Sequence, residues 1–141
     1  MSAEELSLIP SDSVVKGERI MQHDVQYMHR KGIFPANEKL LYFYSDAFLT
    51  IRNDGNGFTE NHVFSYWKED NKLYIEKAHF NAIEKIDVNY SKGELDNTII
   101  TITRKDNSSF PLYVSSMDAL DKVFVKKLQN RWDKVKMDTS K

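Results

Sequence analysis

The chain has no cysteine, only three prolines and five glycines in 141 residues, and no long apolar run. Without cysteine there is no disulfide, no thiolate metal site and no cysteine nucleophile, and a reducing compartment is permitted. No apolar stretch approaches the roughly 18–20 residues that span a bilayer. The first residues carry Glu4 and Glu5 where a signal peptide would be basic. These features predict a soluble, cytoplasmic protein. A surplus of charge is also missing: 20 Lys and Arg against 21 Asp and Glu leave a formal net charge of −1. No global field therefore draws nucleic acid or an anionic membrane to the chain. The glycines fall in turns or at caps, and no P-loop, dinucleotide-binding or G-x-S-x-G pattern is present.

What is there is a series of short strand-and-turn units over residues 38–114, followed by one amphipathic helix over residues 116–135. A chain of this length fits one domain, burying roughly 68–70% of the surface that its unfolded form exposes. Residues 1–16, polar and acidic, read as a mobile tail, residues 17–135 as a single domain and residues 136–141 as a C-terminal tail. Met21, Val25 and Met28, flanked by Ile20 and Tyr27, predict a helix over residues 18–31 with Gly32 as its C-cap. The aromatic run KLLYFYS (39–45) reads as a buried strand, and residues 48–52 as a weaker one. Residues 53–57, NDGNG, make the strongest turn signal, because glycine allows the positive φ of tight turns.

Residues 61–68 and 72–77 form the clearest predicted hairpin, with Val63, Ser65 and Trp67 on one face and His62, Phe64 and Tyr66 on the other. Ile86, Val88 and Tyr90 alternate, but Ile83 is out of phase, which places a bulge or short turn near Glu84. TIITITR (98–104) is a β-branched strand. Phe110, Leu112 and Val114 share a face, and Pro111 between them marks an edge position. Ser115 and Asp118 have capping-box spacing. Met117, Leu120, Phe124, Leu128, Trp132 and Val135 then draw one apolar stripe along the last helix.

Six or seven antiparallel strands followed by one amphipathic helix predict a mainly β, α+β domain: a bent sheet or partly open barrel capped by that helix, with an additional N-terminal helix. The segments GFTENHVFSYW (57–67), KLYIEKAHFNAIEKIDV (72–88) and TIITITRKD (98–106), together with the closing helix, resemble the bacterial pleckstrin-homology-like (PH-like) domains, related in fold to PH and GRAM modules. Thr59 with His62 is similar to the family's threonine and basic residue three positions on, His62 standing where arginine is more usual, and Ile83 with Ile86 to its isoleucine pair. A helix-grip fold with an apolar cavity is the alternative, and a cone-shaped α+β fold the next.

Four histidines, His23, His29, His62 and His79, are the candidate metal ligands or bases, and their spacing matches no metal motif. Polar surface or strand-face roles are expected of them. Asp54, Glu60, Glu69 and Asp70 read as turn formers, and Tyr42, Phe43, Tyr44, Phe64, Tyr66 and Trp67 as core packing. Neither cofactor nor metal is expected. Lys122, Lys126 and Lys127 on the basic last helix are candidates for an anionic lipid or acidic partner, with Arg52 beside the 53–57 loop. A solvated helix face is the simpler role for them. The resemblance and the lack of any reaction-capable constellation imply a non-enzymatic module that binds a protein or self-associates. The alternatives are a small-molecule or lipid-binding protein with an internal apolar cavity, of helix-grip type, and weak anionic-lipid binding through the basic last helix. Nucleic-acid binding is not expected.

Overall fold

The computed structural model describes residues 14–16, 20, 22–45, 54–93 and 97–139. Along the chain run β1 (Val14–Lys16), α1 (Gln22–Arg30), β2 (Leu40–Tyr44), β3 (Asp54–Thr59), β4 (His62–Glu69), β5 (Lys72–His79), β6 (Ile83–Asn89), β7 (Asn97–Arg104), β8 (Ser109–Ser115) and α2 (Leu120–Thr139). Among the described residues the strands form two antiparallel sheets, β1-β2-β3-β4-β5 and β6-β7-β8, each in sequence order. The bent-sheet architecture with a helix at each end of the chain is as expected, with one more strand. That strand is β1, in residues read as the end of a tail; residues 1–13 lie outside the described residues. α2 likewise runs on through residues 136–139, where the sequence reads as a C-terminal tail.

Side-chain alternation along β2–β5 sends the two faces of the five-stranded sheet to different cores. Phe58, Val63 and Ala78 point inward to meet Ile100, Ile102, Phe110, Leu112 and Val114 of the second sheet and Phe124 and Leu128 of α2. Phe43, Phe64 and Tyr66 point outward to Tyr27 and Met28 of α1 and to Ile33 and Phe34 after it. The N-terminal helix therefore packs on its own sheet. It ends in a Schellman motif: Gly32, at φ 75°, donates to the His29 carbonyl and Ile33 donates to the Met28 carbonyl. The Lys77 ammonium donates to the Gly32 carbonyl at 2.7 Å, a cation at the negative end of the helix.

Three local expectations change. Gly55 and Gly57, read as a turn, lie inside β3. There the missing Cβ matters more than backbone freedom: one added at Gly57 would sit 2.7 Å from the Phe64 ring and 2.7 Å from the Tyr42 carbonyl. The glycines let the Phe43, Phe64 and Tyr66 rings lie flat over the strand, stacked at centroid distances of 6.2–6.3 Å for the pairs that include Tyr66. Asn53, Arg52 and the weaker strand at 48–52 lie outside the described residues. Second, no capping box forms, because Asp118 and Ala119 take positive φ (53° and 60°) in a 3-10 turn, Met117–Ala119. The Met117 amide donates to the Ser115 hydroxyl instead. Third, that turn swings Met117 out of the apolar stripe, leaving it 44% exposed, while Phe124, Leu128 and Val135 are buried.

The bulge near Glu84 is present as a register shift between Ile83 and Lys85. Pro111 lies on β8, an edge of the second sheet. The Tyr113 carbonyl accepts a hydrogen bond from the Asn56 amide at 2.8 Å, so it faces away from β7 toward β3. By the strand period of two, Pro111 presents the same edge, where its missing N–H removes a donor that another strand would use.

Candidate functional site

Where β2 meets α2, a cleft of about 390 Å³ has cations on both walls. Lys16 of β1 and Lys39 before β2 stand on one side; Lys127, Arg131 and Lys134 of α2 stand on the other. On the helix these three fall at i, i+4 and i+7, one face extending about 10 Å at 1.5 Å per residue. The floor is apolar: a register shift between Leu40 and Tyr42 turns two successive residues, Leu41 and Tyr42, to the side of the inter-sheet core. Tyr42 stacks on Phe58 at 5.5 Å, and the Lys127 ammonium lies 5.9 Å from the Tyr42 ring centre. Among the described residues no carboxylate lines the cleft and none of its five cations makes an ion pair.

The turn between β3 and β4 positions part of that array. Arg131 Nε donates to the Glu60 carbonyl at 2.7 Å, and the Lys39 amide donates to the Glu60 carboxylate at 3.2 Å. Beneath it lies a polar clasp. The Thr59 hydroxyl donates to Glu38 Oε1 at 2.5 Å, and His62 Nδ1 sits 2.8 Å from Glu38 Oε2. Thr59 Oγ1 also accepts the His62 amide at 3.0 Å, closing the turn. Burial works to raise the Glu38 pKa, but the hydrogen bonds from Thr59 and His62 and the attraction of His62 outweigh it and hold the carboxyl below its usual range. The His79 ring meets His62 edge-on at 5.0 Å, and burial, then proximity to His62, lowers its pKa. His79 Nδ1 accepts the Asn81 amide at 3.0 Å, which requires the ring nitrogen to be unprotonated. Thr59 is fully buried, so its hydroxyl is closed off from solvent.

Of the residues singled out in the sequence, Lys127 lies in the cleft. Lys122 faces a different recess, beside Tyr90, Lys92 and Asp121; Lys126 is exposed and Arg52 lies outside the described residues. Arg131 and Lys134 were legible in principle as the helical continuation of Lys127. Lys16 and Lys39 were not, since only the β1–β2 pairing, Lys16 opposite Tyr42, brings them alongside. Among the described residues no group of three or more His, Cys, Asp or Glu is placed to hold a metal ion, and no helix is long and apolar enough to cross a membrane.

No protein-family model matches the chain, and no curated protein matches it in sequence. In three dimensions it is similar to the crystal structure of a DUF1696 family protein with a pleckstrin-homology domain from Shewanella loihica PV-4. That match has 16% sequence identity and a TM-score of 0.56, and covers 86% of this chain and 94% of the other. At such identity the likeness is one of fold, and the fold of this chain is PH-like.

Proposed function

We propose that the chain is a non-enzymatic PH-like binding module whose working surface is the cleft between β2 and α2, and that its partner is an acidic segment of a protein. The observation that carries this reading is the alignment of five cations along two walls with, among the described residues, no carboxylate between them. Their spread over about 10 Å of helix suits an extended acidic chain better than a single point charge. The floor of Leu41 and Tyr42 suits apolar side chains interleaved with the acidic ones. An internal ligand cavity has less support, because Phe58, Ile100, Ile102, Leu112 and Phe124 fill the space between the sheets.

The test is a titration of a fluorescent peptide alternating Glu with Phe or Leu, with a Lys-for-Glu peptide as control. Each exposed ion pair contributes a few tenths to about 1 kcal/mol. Reversing Lys127→Glu and Lys134→Glu together removes attraction and adds repulsion, so the expected loss is about tenfold or more, shrinking as salt rises. Unchanged affinity in the double variant would overturn the proposal. Binding to phosphatidylserine vesicles that disappears in that variant, with no peptide binding, would instead establish an anionic-lipid role. Sedimentation of the unliganded chain, in which the same substitutions abolish assembly, would identify the acidic segment as one on a second copy.

A further inference from the structure

At the other end of β3 a recess of about 450 Å³ opens between β3, β4 and the edge of β8, and its chemistry is the reverse of the cleft's. Asp54 and Glu69 supply carboxylates, Trp67 and Tyr113 supply rings, and among the described residues no Lys, Arg or His lines it. The Asp54 carboxylate is held by the Ser45 hydroxyl at 3.1 Å from Oδ1. Trp67 is backed by Tyr74, stacked at 5.7 Å with 14° between the planes. Tyr113 stands 45% exposed at the rim. Burial, reinforced by Asp54, pushes the Tyr66 pKa well above its usual value.

Aromatic faces carry negative quadrupole charge and attract cations, most strongly those that shed water easily. Carboxylates behind such faces add a net attraction that a purely aromatic wall lacks. A hard metal ion would want six or more oxygen ligands, which two carboxylates do not provide. We propose that this recess binds an organic cation, a quaternary ammonium or guanidinium head, with Trp67 and Tyr113 contributing ring faces and Asp54 and Glu69 the counter-charge. The recess has room for such a head together with part of the molecule that carries it.

The chain has two tryptophans, Trp67 and Trp132, so Trp132→Phe leaves Trp67 as sole reporter of the recess. In that background its fluorescence is followed during titration with choline, with N-acetyl-arginine methylamide and with potassium chloride at matched ionic strength. A saturable change with choline alone supports a quaternary ammonium small molecule. A saturable change with the arginine derivative alone supports a peptide side chain, and both together support the shared head-group chemistry. Tyr113→Ala and Glu69→Gln, both exposed positions, are each expected to weaken the response at least threefold, whereas Tyr113→Phe keeps it. An unsaturable response, or one that potassium reproduces, overturns the proposal, as does full affinity in the Tyr113→Ala, Glu69→Gln double variant. Because none of these residues lines the basic cleft, failure here leaves the acidic-segment reading to its own test.

Discussion

Single atoms decide the packing at β3. A Cβ at Gly57 would meet the Tyr42 carbonyl, which is backbone and cannot turn aside, so Gly57→Ala is expected to cost about 1–3 kcal/mol, read as a lower urea midpoint with an unchanged slope. The NDGNG segment was misread because glycine has two uses, positive φ and absent bulk, and composition does not separate them. In this chain Gly32 takes the first use and Gly57 the second. The turn expected at 69–71 is real and is made without glycine, by Asp70 and Asn71 at φ 51° and 63°. A second residue-scale prediction concerns Thr98, whose hydroxyl donates to the buried Asp121 carboxylate at 2.6 Å. Thr98→Val removes that donor while leaving Asp121 buried, at a cost of about 1–3 kcal/mol measurable by the same urea titration. Nothing in a β-branched run marks its first threonine as the partner of a helix 23 residues on.

Elements were legible where the signal is local. The stripe on α2, the hairpin of β4 and β5, the C-cap at Gly32 and the edge position of Pro111 all follow from periodicity or backbone chemistry of neighbouring residues. Partners were not legible: α1 could have docked on another molecule, and only the structure seats it on Phe43, Phe64 and Tyr66. The cleft splits in the same way, its α2 wall readable from a helical repeat and its β wall readable only from strand pairing. Gly32 supplies the test at this scale. A side chain at its φ of 75° strains the α1 cap, so Gly32→Ala is expected to cost about 1 kcal/mol. The loss should localise: hydrogen exchange should quicken in α1 and the 31–34 segment more than in β7.

For the whole molecule, acid is the destabilising direction. The folded-state pKa of His79 lies below its ordinary 6.5, so the folded chain holds fewer protons there than the unfolded one, and stability falls as pH drops below that value. Glu38, lowered from 4.5, contributes stability that is present above the unfolded value and is lost as pH falls through the folded one. Both groups act in the same sense, in successive windows. Urea midpoints should therefore decline as pH falls through 6.5 and again as it falls below 4.5, with His79→Gln flattening the first step. A midpoint constant from pH 7 to 4 would contradict this. The order of the strands has a consequence in time as well as in space. Every ladder in β1-β2-β3-β4-β5 and in β6-β7-β8 joins strands that follow one another in the chain. Apart from β1, which pairs with β2 across α1, closing them requires only short loops, so β2-β3-β4-β5 and β6-β7-β8 are expected to assemble rapidly and independently, with α2 completing the inter-sheet core in the late, rate-limiting event.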